Sequence, residues 1–156
     1  MCSMSITEVI LTKTRMLRYA MRFVRCGGSW RTMSGYAAAM SDGVWLYEPK
    51  AHSLIPHLRT DIRPQTGTQD FVASAPLNLI YVAHGERMQD INAEERRLYA
   101  SVDAAFIGQN VYLFCASENL ATVFRGAVDT AKLGHALGLP DQQFVTFAQT
   151  VGYPRM

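Results

Sequence analysis

Apolar and polar residues follow different periods in successive stretches of the chain. Between Met1 and Arg31, Ile6, Val9, Ile10, Leu17, Ala20 and Phe23 gather on one helical face, while Arg15, Arg18, Arg22 and Arg25 share the other. This pattern predicts an amphipathic helix beginning at Ser5. Ser5-Ile6-Thr7-Glu8 has the form of a capping box, and Cys26-Gly27-Gly28 supplies a stop. From Gly43 to Leu58 the chain reads as a hairpin. Val44-Trp45-Leu46-Tyr47 is rich in strand formers, Glu48 to His52 is a turn, and Ser53-Leu54-Ile55 returns. Gln69 to Ala73 predicts a short helical piece. Leu77 to Ala83 is nearly continuously apolar, as a central strand would be. A long helix is then predicted over about Asn92 to Ser117, with Asn92 as its N-cap and Glu94 and Glu95 at the positive end of its dipole. Leu98, Val102, Ala105, Phe106, Val111 and Leu113 give this helix apolar surface on more than one side. Such a helix is buried in a core or in a subunit interface. We assign Phe106 and Val111 to that interface and expect Cys115, mid-helix among apolar residues, to be buried and unreactive. A strand at Ala121 to Phe124, a helix at Thr130 to Leu137 stopped by Gly138, and a strand at Phe144 to Val151 follow.

Composition narrows the function classes. The 156 residues, 49% apolar and 18% charged, read as a single globular domain. A net charge of +2 does not by itself imply a nucleic-acid partner. Cys2, Cys26 and Cys115 are odd in number and widely spaced, so a disulfide framework or structural zinc site is not expected. A reducing, cytoplasmic setting is the default reading. Apolar runs are too short to span a bilayer, and the N-terminus has no secretory h-region. The Arg-rich helix also fits a lipid-surface or transit-peptide role, although Lys13 on its apolar face opposes deep insertion. No GxSxG, GxxxxGK[ST], GxGxxG or HExxH occurs, and His52, His57, His84 and His135 lack zinc-ligand spacing. With no acid–base or nucleophile constellation, an enzyme built on this chain would take its chemistry from a cofactor.

Ala104 to Ser117, containing Gly108-Gln109-Asn110, resembles the long central helix of the FMN-dependent nitroreductase family. The segment Glu118-Asn119-Leu120-Ala121-Thr122-Val123-Phe124-Arg125-Gly126 resembles the link and strand that follow that helix. Leu137-Gly138-Leu139-Pro140 and Gln149-Thr150-Val151-Gly152-Tyr153-Pro154-Arg155 resemble the family's C-terminal portion. Asp42 to Pro49 with His52-Ser53-Leu54, Thr66 to Val72, and Ala75 to Leu79 are similar to the subgroup that includes SagB-like dehydrogenases. Residues 43–155 form the best-matching part, and residues 1–40 a divergent basic region.

The resemblance implies an α+β fold with a mainly antiparallel central sheet flanked by helices, and a homodimer with flavin at the subunit interface. It implies FMN as cofactor and NAD(P)H as reductant. Hydride would pass through flavin N5 to an electron-poor acceptor such as a nitroaromatic or quinone, with no obligatory catalytic side chain. It places Arg125 and Gly126 near the isoalloxazine, where Gly126 lets the backbone approach closely. Arg15, Arg18 and Arg155 are placed at the phosphate, and Ser34 stands as the remnant of a serine loop. Met16 replaces the serine of the family's Arg-Ser-x-Arg element and cannot supply its hydroxyl. The alternative is a shortened, non-catalytic dimer that binds flavin weakly or not at all.

Overall fold

The computed structural model describes residues 33–154 apart from positions 49 and 52. The predicted N-terminal helix, with Arg15 and Arg18, and the late Arg155 lie outside the described residues. Six strands form one sheet: β1 (Met33–Met40), β2 (Gly43–Glu48), β3 (Ser53–Leu58), β4 (Leu77–His84), β5 (Ala121–Arg125) and β6 (Gln143–Gly152). Their order is β3-β2-β1-β4-β6-β5, with every neighbouring pair antiparallel. Among the described residues two α-helices accompany them, α1 (Ala93–Ser117) and α2 (Thr130–Ala136). The α+β architecture expected from the sequence is therefore the one observed.

β4 is buried from Leu77 to Ala83 and lies between β1 and β6. Its alternating side chains feed two cores. Leu77, Leu79, Tyr81 and Ala83 pack with Ala100, Ala104, Ile107, Val111 and Phe114 of α1. Ile80 and Val82 pack on the opposite face with Ala37, Ala39, Val44, Val145 and the α2-side residues Leu133 and Leu137. Helices on both faces explain why the run has no polar alternation.

The start of α1 is fixed by its sequence. Asn92 Oδ1 accepts from the Glu94 and Glu95 amides at 3.0 and 2.9 Å, and Glu95 Oε2 accepts from the Asn92 amide at 3.3 Å. This reciprocal cap is worth about 1 kcal/mol. At the far end Asn119 takes φ 54°, and the Leu120 amide reaches back to the Cys115 carbonyl at 2.8 Å. Asparagine tolerates that left-handed turn. Gly138, at φ +65°, ends α2 in the same way.

Two sequence expectations are corrected, and one strand was not foreseen. β1 was not expected, because Ala37-Ala38-Ala39 has weak strand propensity and, buried on both faces, no period of two. Gln69 to Ala73 forms turns, not helix. Its isolated bonds, Val72 amide to Gln69 carbonyl and Ala75 amide to Phe71 carbonyl, fall short of a propagating ladder. Val111 is 0% exposed inside this chain's own core and is unavailable to an interface, whereas Phe106 is 66% exposed. Leu98, Val102, Phe106 and Leu113 form an exposed stripe opposite the buried side of α1. No helix among the described residues is long and apolar enough to cross a membrane.

Candidate functional site

The chemistry-bearing residues converge where edge strand β5 ends against β6. Phe124 points toward α1, its ring 5.4 Å from Tyr81 and 4.9 Å from Phe147. Gly108 makes room for it: a Cβ there would lie 2.5 Å from Phe124 Cδ2. The glycine of the Gly-Gln-Asn run is thus a packing glycine. Beside it, Gln149 is fully buried and satisfied. Its Oε1 accepts from the Tyr81 hydroxyl, and its Nε2 donates to the Gly108 carbonyl at 3.3 Å and to Thr122 Oγ1 at 3.1 Å.

Arg125 points to the other face and is 3% exposed. Its Nε donates to Thr150 Oγ1 at 3.0 Å, Nη1 to the Thr66 carbonyl at 2.9 Å and Nη2 to Asn78 Oδ1 at 3.2 Å. Thr150 Oγ1 donates to the same Asn78 oxygen at 2.6 Å, and Asn78 Nδ2 donates to the Val72 carbonyl at 2.9 Å. The side chain therefore ties β5 to β4, β6 and the 66–72 turns. Burial pushes the Arg125 pKa below its ordinary value. Sequence reasoning did not assign Thr66, Asn78 or Thr150 to this neighbourhood. One signal was present: Asn78 is a lone amide inside an apolar strand, and such a group is buried only with partners.

Gly126 follows directly and is exposed. The Phe124 amide points outward from the sheet edge and donates to the Tyr112 hydroxyl at 2.8 Å. N–H groups alternate sides along a strand, so the Gly126 N–H points the same way. Among the described residues no acceptor meets it. Packing within the chain does not demand glycine here, since a Cβ would meet only Phe147, at 3.6 Å. A free outward amide with no side chain over it is a cradle for the edge of a flat, hydrogen-bonding ring. The described part of the site therefore fits a flavin. Ser34 lies on β1 where the register shifts between Met33 and Gly35.

A cavity of about 350 Å³ opens on the α2 face, between Leu46, Ile55 and His57 of the hairpin and Leu137 and Leu139 after α2. His57 Nε2 is engaged with the Leu137 carbonyl at 2.8 Å, and no residue of β5 lines the cavity. Cys115 is buried, and burial raises its thiol pKa to about 11. No cluster suited to a metal ion occurs among the described residues.

Comparison with known proteins agrees with the fold and the motifs. The chain is 32% identical over 92 residues to a nitroreductase of Methanocaldococcus jannaschii, covering 56% of this chain and 46% of that protein. It is 29% identical over 104 residues to the NADPH-flavin oxidoreductase of Vibrio harveyi, covering 62% of this chain and 43% of that protein. It spans less than half the length of either relative. A nitroreductase crystal structure from Ralstonia eutropha superposes with a TM-score of 0.76 at 27% identity, covering 94% of this chain and 72% of that one. The Nitroreductase family model matches residues 14–153. By its sequence, its sheet and its long capped helix, this chain belongs to the nitroreductase family.

Proposed function

We propose that the chain is an FMN-dependent oxidoreductase that works as a homodimer, within the SagB-like part of the family. The observation that carries this reading is Gly126: an exposed glycine, unneeded by the fold, with a free outward amide at the end of an edge strand. That amide would donate to the flavin ring edge. Arg15, Arg18 and Arg155 would hold the phosphate as charge-assisted donors, with Ser34 nearby. When bound, FMN supplies two-electron transfer between NAD(P)H and an electron-poor acceptor of the nitroaromatic or quinone kind. The name of the Vibrio harveyi relative supports the pairing of nicotinamide and flavin. The exposed stripe of α1 supports the dimer, because large apolar side chains grouped on one exposed helix face suit an interaction surface.

The test is FMN content. Protein purified from cells and denatured should release about one FMN per chain, identified by fluorescence and chromatography. A colourless protein that takes up no FMN on titration would overturn the proposal and favour the non-catalytic dimer.

A further inference from the structure

Arg125 presents an electrostatic imbalance. Its guanidinium is buried, and its three bonded nitrogens meet only neutral oxygens, from Thr66, Asn78 and Thr150. Among the described residues the ion pairs are Arg63–Asp61 and His84–Glu86, and neither involves Arg125. A buried cation without a carboxylate is costly, and an apolar side chain of similar volume would serve packing better.

The position where a carboxylate would stand is identifiable. A Cβ at Gly67 would lie 1.9 Å from Arg125 Nη1 and 3.1 Å from Gln69 Oε1. Gly67 is therefore required to be bare, and Gln69 Oε1 borders the same gap as Arg125 Nη1. That oxygen is buried and has no hydrogen-bond partner. The chain thus places a neutral amide, with an orphaned acceptor, across a small gap from the cation, where a glutamate would offset the charge. The residue after this cation is Gly126.

We propose that Arg125 is held uncompensated so that its positive charge stabilises the negative charge a flavin ring at Gly126 gains on reduction. Transfer of a hydride brings two electrons and one proton, so the neutral ring becomes an anion as the nicotinamide donor becomes NAD(P)+. Arg125 does not touch the ring in this account. Its field acts from within the fold, where low dielectric strengthens it. The inference rests on the FMN reading above.

Gln69→Glu tests it with two readouts of opposite sign. The carboxylate replaces an unpartnered oxygen at the gap that Nη1 also borders, so the flavin-free protein should melt at a higher temperature. The same pairing removes the field, so the bound flavin should become harder to reduce. We expect the ratio of reduced to oxidised flavin affinity to fall about tenfold, or about 30 mV for a two-electron couple. A higher melting temperature with an unchanged potential makes Arg125 a structural clamp and overturns the proposal. Arg125→Lys and Arg125→Met provide the second comparison. Lysine keeps the charge and should keep the potential, while methionine should lower it, and equal potentials in both would overturn the proposal. A loss confined to oxidised FMN and absent with riboflavin would assign the charge to the phosphate instead, again overturning it. A wild-type protein that binds no flavin would remove the FMN reading itself, an outcome distinct from a flavin-loaded variant whose potential does not move.

Discussion

Gly108 offers a sharp test of the packing between α1 and β5. In an exposed helix interior, Gly→Ala normally stabilises by about 1 kcal/mol, because glycine loses more backbone entropy on folding. At Gly108 the added methyl would lie 2.5 and 2.7 Å from two atoms of the Phe124 ring and 3.2 Å from Gln149 Oε1. The ring has little room to retreat. It stacks against Tyr81 and Phe147, and its backbone amide is tied to Tyr112. Gln149 Oε1 is held by the Tyr81 hydroxyl. Overpacking a core by one methyl costs about 1–3 kcal/mol, and these restraints place Gly108 at the upper end. Gly108→Ala should therefore destabilise by about 2 kcal/mol after the helix gain is subtracted. Gly134 is the control within α2: a Cβ there meets only Leu139 Cδ1, at 3.8 Å. Gly134→Ala should stabilise by about 0.5–1 kcal/mol. Urea denaturation followed by circular dichroism separates the two, with the midpoint moving down by about 1 M for the first variant and up for the second at unchanged slope. Equal midpoints for Gly108→Ala and the wild type would refute the claim that Gly108 exists to admit the Phe124 ring.

Other predictions follow from buried and exposed side chains. Burial raises the Cys115 pKa from 9.0 to about 11, so its contribution is complete below pH 9 and is lost as pH rises toward 11, where the unfolded thiol ionises first. The stability gap between wild type and Cys115→Ala should accordingly narrow by about 1.4 kcal/mol between pH 7 and pH 10, and rapid thiol labelling of the native protein at neutral pH would contradict the burial. Arg15→Ala should weaken FMN binding about ten- to a hundredfold while leaving riboflavin binding unchanged, and Arg25→Ala should alter neither. Equal FMN affinity in the two variants, read by flavin fluorescence, would remove Arg15 from the site. Phe106→Arg should convert a dimer into a monomer in light scattering, and a wild-type monomer at micromolar concentration would defeat the assignment of the exposed stripe to a second copy.

Elements were legible where local chemistry and tertiary context agree. α1 carries its own start signal in Asn92 and Glu95, and β4 is marked as a central strand by an apolar run broken only by Asn78 before its last residue. β1 was hidden because alanine is a poor strand former, and only β2 and β4 on either side make it a strand. The phase of α1 was hidden for another reason. Apolar residues all round a helix do not say which stripe meets the sheet, so Val111 was assigned outward when it faces the core. At the candidate site, Gly126 was singled out chiefly through resemblance. The surroundings of Arg125 were not legible at all, because its partners stand 25, 47 and 59 residues away. An arginine at a strand end reads as solvent-facing until those distant segments close around it.

The proposed dimer and the proposed flavin site are physically linked. The Tyr112 hydroxyl joins α1 to the outer edge of β5 through the Phe124 amide. Tyr112 and Leu113 sit on the exposed part of α1, and Gly126 continues the β5 edge two residues beyond Phe124. A second copy that covers the stripe would therefore border the strand end whose amide is free. Such a neighbour would screen a ring at Gly126 from water and strengthen the hydrogen bond made there. Linkage then requires reciprocity: if the dimer binds flavin more tightly than the monomer, flavin must tighten the dimer by the same factor. Phe106, which is 66% exposed and is not itself a candidate flavin residue, should therefore influence flavin affinity through assembly alone. A monomeric Phe106→Arg protein with undiminished FMN affinity would break that linkage and leave Gly126 acting within a single chain.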